Sequence, residues 1–252
     1  MPFRLGTTSY ILPADLLANV RYLTGKVQDV EILLLEVKDE TRDLPSLEVV
    51  EELAALAKEH DLSYTVHLPL DLRLGDPGEE GRRSLQKACA VITRTCPLDP
   101  QAYVLHLNGN MAVKPSVWLR GVCEALQLLT GCVRASQRLA VENTEGVAHT
   151  ALESVLARLP VGRCVDVGHL WLDGHDPLPH LRVALPRARV IHLHGVGLRD
   201  HQSLALVPEV ELRRVVSYLL QEDYAGVVTV EVFAENDFLS SMEVLDRMMR
   251  KP

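Results

Sequence analysis

The sequence predicts a single α/β domain of the (β/α)₈ TIM barrel type, and three observations lead to that prediction. The chain has 252 residues, the usual size of such a barrel, and 47% of them are hydrophobic, which is enough to build one core. Short β-type runs alternate with longer helix-type runs along the whole sequence. The first run is not followed by the glycine-rich motif that an open Rossmann-type sheet would carry there. We therefore expect one domain over residues 1–252.

Eight runs have the composition of buried parallel strands. Most are almost continuously apolar, as expected for strands that are covered on both faces. In chain order the predicted strands are Phe3–Ser9, Val30–Glu36, Tyr64–Leu68, Tyr103–Leu107, Leu139–Asn143, Cys164–Val167, Val190–His194 and Val227–Val232. Strict alternation with helices requires a parallel sheet, and eight units in about 250 residues favour its closure into a barrel.

The stretches between the strands have helical spacing of apolar residues. One example is the set Trp118, Val122, Ala125, Leu126 and Leu129. Start signals agree with this interpretation: Ser46 is placed to cap a helix that begins at Leu47, and Pro115 and Pro208 lie near first turns.

Composition excludes several functional classes. Acidic residues outnumber basic ones 34 to 26, the net charge is −8, and no run of lysine or arginine is present, so we do not expect duplex DNA as a partner. No apolar run approaches the roughly 20 residues of a membrane span, and we expect a cytoplasmic protein without a membrane partner. The five cysteines form no C-x-x-C motif and are expected to be reduced, mostly buried thiols.

Histidines and carboxylates recur near the carboxyl ends of six predicted strands. They are His67, His106, Glu142, Asp166, His192 and Glu231, separated by steps of 39, 36, 24, 26 and 39 residues. In a (β/α)₈ barrel such positions converge on one mouth, where active sites are built. Each residue alone could be a structural histidine or a hydrogen-bonded carboxylate, but burying all six without a counter-ion would cost several kcal/mol per unpaired charge. Mixed imidazole and carboxylate ligands predict Zn²⁺, with Mn²⁺ or Fe²⁺ as alternatives.

Further candidates lie just beyond the strand ends. His169, Asp200 and His201 are predicted as additional metal ligands. The alternative is that they contact substrate or support other ligands. For Glu36 and His194 we favour this alternative, substrate contact or support, over metal binding. So many candidates exceed the needs of one ion and predict two or three close ions, an arrangement suited to phosphoester hydrolysis. Arg199 is a candidate for phosphate contact, and the alternative is that it is a solvated loop arginine. Trp171 is a candidate for substrate contact, and the alternative is that it only packs against the core.

The strand-end residues and the Asp166-Val-Gly-His169 step resemble the xylose-isomerase-like barrel superfamily, which includes apurinic endonucleases of the second family and sugar isomerases and epimerases. In the endonuclease branch, the resemblance implies three zinc ions. His67, His106 and Glu142 would hold one ion, Glu142, Asp166, His192 and Glu231 a second, and His169, Asp200 and His201 a third. That branch usually separates its late Asp and His by one residue, whereas Asp200 and His201 are adjacent.

The isomerase and epimerase branch implies a different use of the same positions, with one metal between Glu142 and Glu231 and these two carboxylates as the acid and base. The His67/His106 pair and the Asp200-His201 step favour the hydrolase. A barrel that binds a ligand without catalysis would require an incomplete set of strand-end residues.

Four segments resemble the cobamide-remodelling phosphodiesterases of this superfamily. They are Gly6–Ile11, Asp29–Glu36, Tyr64–Pro69 and His192–Val196. This resemblance implies hydrolysis of a phosphoester in the nucleotide loop of a cobamide, a small-molecule phosphodiester, with Glu142 and Glu231 as catalytic residues. The sequence makes no prediction of the oligomeric state.

Overall fold

A computed structural model of the chain describes residues 1–38, 42–109, 112–144 and 149–249. Within these residues the strands are β1 (Arg4–Thr8), β2 (Asp29–Leu33), β3 (Ser63–His67), β4 (Tyr103–Leu105), β5 (Leu139–Glu142), β6 (Gly162–Asp166), β7 (Ala188–Leu193) and β8 (Val227–Val230). All neighbours pair in parallel and in chain order, and β8 closes on β1. The predicted (β/α)₈ barrel is confirmed.

Helices connect the strands and form the outer layer. They are α1 (Leu16–Leu23), α2 (Leu47–His60), α3 (Glu79–Thr95), α4 (Pro115–Thr130), α5 (His149–Leu156), α6 (Val167–Leu172), α7 (Pro177–Ala184), α8 (Glu209–Gln221) and α9 (Glu235–Met249). The predicted start signals hold: the Ser46 hydroxyl accepts the Val49 N–H at 3.3 Å, Pro115 is the first residue of α4, and Pro208 directly precedes α8. None of the described helices is long and apolar enough to cross a membrane.

On the side formed by β4 to β7, the barrel interior has an apolar lower layer and a polar upper layer. A small hydrophobic cluster, separate from the main core, consists of Ala102, Val104, Ala140, Cys164 and Val190. Because side chains two residues apart point to the same side of a strand, the residues that follow inside the barrel are His106, Glu142, Asp166 and His192. The small apolar layer therefore serves as the floor beneath the polar residues at the carboxyl ends of the strands.

Two sequence-based expectations need correction. The strand predicted at Val30–Glu36 runs from Asp29 to Leu33, because the apolar side chains of Leu34 and Val37 are buried by a loop that leaves the sheet. The cysteines are free, as expected, but only Cys164 is buried; the other four lie on or at the ends of outer helices, where they are partly or fully exposed.

Asp29 places a carboxyl group deep in the amino end of the barrel. One of its oxygens accepts the Ser63 hydroxyl at 2.5 Å, and the other has no hydrogen-bond partner among the described residues. Burial raises the pKa of Asp29 to about 6, against the smaller opposing effects of the Ser63 and Thr65 hydroxyls. The folded protein therefore holds a proton at Asp29 that the unfolded chain releases near pH 4.

We predict that Asp29→Asn increases the free energy of unfolding at pH 7.5 by about 3 kcal/mol. With the folded pKa raised, the wild-type protein loses stability as pH rises from about 4 to about 6, and the neutral amide removes that loss. Urea unfolding at pH 4.5 and pH 7.5 measures the difference. Glu51→Gln, a change at an exposed site of α2, is the control. A difference between Asp29→Asn and wild type that does not change with pH would contradict the prediction.

Candidate metal centre

Three neighbouring groups of histidines and carboxylates lie at the carboxyl end of the barrel, and within each group the potential ligand atoms lie within 4.8 Å of one another. The first group is His67, His106 and Glu142. Glu142 Oε2 lies 3.2 Å from His67 Nε2 and 3.0 Å from His106 Nε2. His67 Nδ1 is 2.8 Å from the Leu68 carbonyl oxygen. When Nδ1 donates to that carbonyl, Nε2 is free to coordinate an ion.

The second group is Glu142, Asp166, His192 and Glu231, from four consecutive strands or their ends. His192 Nδ1 lies 3.0 Å from Glu231 Oε2, 3.3 Å from Glu142 Oε1 and 3.8 Å from Asp166 Oδ2. All four residues are buried. The four strand-end residues that the sequence analysis assigned to one ion thus converge on a common point.

The third group is Asp166, His169, His194 and His201. Asp166 Oδ1 lies 3.2 Å from His194 Nε2, and Asp166 Oδ2 lies 3.3 Å from His169 Nδ1. The rings of His194 and His201 stack with centroids 4.2 Å apart. Groups one and two share Glu142, and groups two and three share Asp166, so the three form one continuous cluster.

Local backbone features hold this third group together. Asp166 caps α6 by accepting the His169 N–H at 2.7 Å, and the Asn143 side chain bonds both the N–H and the carbonyl of Asp166. A Cβ at Gly168 would lie 2.2 Å from the His194 ring, so only glycine leaves room for that imidazole. His201 has φ of 52°, in the left-handed region that non-glycine residues seldom adopt.

Glu31 is a functional candidate that the sequence analysis did not single out. It lies on β2 with its side chain buried in the barrel, and its Oε2 is 2.9 Å from His192 Nε2. When the Glu31 carboxylate accepts a hydrogen bond from His192 Nε2–H, it orients the imidazole ring. His192 Nδ1 then points at the second group and is free to bind an ion. The available signal was an acidic residue between the apolar residues Val30 and Ile32, at an inward-facing position of a strand.

Several predicted residues lie outside the three groups. Glu36 is in the loop after β2, with its side chain 78% exposed and paired with Lys38 at 2.9 Å. Asp200 contacts the outer side of His201, with Oδ2 3.1 Å from Nδ1. Arg199 is exposed, and Trp171 is half-buried against the core with no acceptor for Nε1 among the described residues. In the third group the place expected for Asp200 is taken by His194.

Electrostatics in the cluster favour charged side chains in spite of burial. Burial raises the pKa of Glu142, but the positive charges of His192 and His106 outweigh it and hold that pKa well below its usual range. Burial opposes the charge on His201, yet the adjacent Glu231 carboxylate raises the pKa of His201 to about 9. Protons on the histidines thus balance the carboxylates, and a metal ion binding there would displace them.

The donor set fits divalent transition metals. Asp166 Oδ2, His194 Nε2 and Glu231 Oε2 are buried without a hydrogen-bond partner among the described residues, although each lies within about 3.3 Å of a charged neighbour. These atoms lie close together but do not have hydrogen-bond geometry, and ligand atoms arranged around a shared metal ion have the same arrangement. Imidazole and carboxylate donors suit Zn²⁺, Mn²⁺ or Fe²⁺.

This fold and site define a (β/α)₈ barrel with a continuous histidine and carboxylate cluster at the carboxyl ends of its strands. The chain belongs to the xylose isomerase-like TIM barrel family, whose model matches residues 27–248. No curated protein matches the sequence.

Solved structures of the same fold include an epimerase-like protein, an endonuclease and an epimerase. A D-tagatose 3-epimerase-like protein has 17% identity and a TM-score of 0.80, with 98% of this chain and 97% of that chain covered. Endonuclease IV from Thermus thermophilus has 23% identity and a TM-score of 0.74, with 97% and 99% covered. The 3-keto-D-glucoside 4-epimerase from E. coli has 16% identity and a TM-score of 0.74, with 98% of each chain covered. At these identities the likeness establishes the fold.

We predict that Glu31→Gln weakens metal binding about 10- to 100-fold, because His192 loses the carboxylate that orients it. Isothermal titration of the metal-free protein with Zn²⁺ measures the affinity. Glu36→Gln is the matched variant, since it changes an exposed glutamate five residues further along the same segment. Equal affinities of the two variants would show that Glu31 does not support the site.

We also predict that His194→Asn lowers the number of metal ions per chain, whereas Asp200→Asn leaves that number unchanged and affects only affinity through His201. The physical reason is that His194 Nε2 points at Asp166, while Asp200 contacts the opposite edge of His201. Elemental analysis after saturation with Zn²⁺ gives the count. Loss of an ion in Asp200→Asn, with none lost in His194→Asn, would reverse the two assignments.

Proposed function

We propose that the protein is a metal-dependent phosphodiesterase. The observation that carries this proposal is the continuity of the three ligand groups through Glu142 and Asp166. Such a cluster suits two or three close ions, which phosphoester hydrolysis uses to neutralise both the attacking and the leaving oxygen. Zn²⁺ is the proposed metal, with Mn²⁺ and Fe²⁺ as alternatives.

The side chains have separate roles in this proposal. His67, His106, Asp166, His169, His192, His194 and His201 would hold ions together with Glu142 and Glu231. Divalent ions held there would lower the pKa of water and stabilise negative charge on the phosphoryl group. Glu142 divides its two oxygens between the first and second groups, and so fixes their spacing.

Glu231 is the residue proposed to orient the attacking water at the reacting centre. It lies at the end of β8 beside His192 and His201, with Oε2 3.3 Å from His201 Nε2. The two histidines keep its pKa well below the usual range in spite of burial, so the carboxylate is ionised and can orient a water molecule. Arg199 is proposed to contact phosphate from its exposed loop position, and Trp171 to lie against the substrate.

The proposed substrate is the nucleotide loop of a cobamide. This choice rests on the resemblance of four segments to cobamide-remodelling phosphodiesterases, three of which contain or adjoin Glu31, His67, His192 or His194. A net charge of −8 disfavours duplex DNA, which a relative of endonuclease IV would otherwise suggest. The free cysteines agree with a reducing compartment, and we propose the cytoplasm.

Sugar or sugar-phosphate isomerisation is the second candidate. The second ligand group alone would bind one ion, with Glu142 and Glu231 on either side of His192 Nδ1 at 3.3 and 3.0 Å. Two carboxylates beside one metal suit proton transfer at a sugar carbon. The epimerases among the structural neighbours favour this candidate, but it assigns no role to the first and third groups.

The deciding experiment incubates the metal-loaded protein with adenosylcobalamin, simple phosphodiesters and free sugars, and identifies products by mass spectrometry. We expect two or more ions per chain and release of the nucleotide tail. Glu142→Gln should lower the rate about 10³-fold or more while circular dichroism stays unchanged, because it removes the carboxylate shared by two groups. Glu51→Gln is the control. One ion per chain and epimerised sugar without phosphoester cleavage would replace the proposal by the second candidate.

A further inference from the structure

Exposed apolar side chains are concentrated at the end of the barrel that carries the candidate metal centre. Of the twelve large exposed hydrophobic residues in the described part of the chain, five lie between the carboxyl end of a strand and the next outer helix, and a sixth, Leu172, is the last residue of the short helix α6 directly after β6. These residues, which we call the apolar rim, are Tyr10, Leu70, Leu172, Leu198, Leu206 and Phe233.

The opposite end of the barrel serves as an internal comparison. The connections that lead from a helix back to a strand lie wholly within the described residues and also contain apolar side chains. Those of Val27, Leu62 and Tyr224 are buried, and no large hydrophobic residue in these connections is exposed. Because single exposed apolar residues scatter freely over protein surfaces, their concentration at one end indicates a binding surface.

The rim is continuous with the metal centre. The Phe233 ring stacks on the His201 ring with centroids 5.0 Å apart. The Leu70 carbonyl accepts the side-chain N–H of Asn108, two residues after His106. Leu198 lies at the tip of a hairpin that Gly195 and Gln202 close by reciprocal backbone hydrogen bonds of 2.7 and 3.1 Å.

We propose that the apolar rim binds a broad, weakly polar body that carries the phosphodiester, so that the phosphate enters the metal centre while this body lies across the mouth. This inference rests on the proposed function and specifies what its substrate looks like outside the reacting group. A sugar is hydroxylated on all sides and would leave the rim in water. A macrocycle with methyl groups, such as a corrin, presents apolar area that the rim can remove from solvent.

Leu198 offers the sharpest test. Its relative exposure is 105%, so its side chain contributes nothing to folding and its replacement reports on binding alone. The test variants are Leu198→Ser and the double variant Leu70→Ser/Leu198→Ser. Leu128→Ser, at a 61% exposed position on α4, removes the same kind of side chain away from the mouth and is the matched control.

Two measurements are made on each variant. The first is the Kd for cobalamin, measured by titration calorimetry in the Glu142→Gln background, where cleavage is suppressed. The second is KM and kcat of the metal-loaded protein for bis(4-nitrophenyl) phosphate and methyl 4-nitrophenyl phosphate, which share a leaving group and differ in apolar size. We expect the double variant to raise Kd, and KM for the larger ester, about tenfold, with KM for the methyl ester and kcat nearly unchanged.

The outcomes separate the two proposals. If the rim variants behave like Leu128→Ser while phosphodiesters are still cleaved, the rim inference is overturned and the proposed function stands. If no phosphodiester is cleaved but the rim variants weaken cobalamin binding, the proposed function fails and the rim stands as a ligand surface. If light scattering shows a dimer that Leu198→Ser dissociates, the rim is a contact between two copies and the inference is overturned.

Discussion

The structure depends on balancing several buried charges at one end of the barrel. Glu31, Glu142, Asp166 and Glu231 are almost completely removed from solvent, and the small hydrophobic cluster lies beneath Glu142 and Asp166. Burying an ionised carboxylate in such surroundings lowers the free energy of unfolding by several kcal/mol unless a cation or a hydrogen-bond donor lies next to it. The histidines of the cluster meet this requirement, Gly168 leaves room for one of them, His194, and Asn143 holds the backbone of Asp166 in place.

The barrel itself does not decide between the two candidate chemistries, since sugar epimerases and endonuclease IV share it. Both proposals use Glu142, Asp166, His192 and Glu231. The two proposals differ in whether they use the histidines next to these four residues. His67 and His106 lie next to Glu142, and His169, His194 and His201 lie next to Asp166. Five further imidazoles next to a complete one-metal set are difficult to explain as packing, because each would bury a polar ring without need.

The sequence predicted the fold and the convergence of the six strand-end residues because both follow from strict alternation of strand and helix. It was less informative where a strand ends. The apolar run Leu33–Leu35 continues the pattern of β2 and so points to Glu36 at its end rather than to the inward-facing Glu31. In the loop after β7 no periodicity applies, and only the folded hairpin reveals that His194 faces Asp166 while Asp200 lies behind His201.

The position of Glu142 has a consequence for how the centre would fill with metal. Its Oε2 faces the first group and its Oε1 the second, so one carboxylate belongs to both. An ion bound on one side would fix the carboxylate plane and thereby remove part of the ordering cost for an ion on the other side. The sites would then load cooperatively, and a chelator that removed one ion would loosen its neighbour as well.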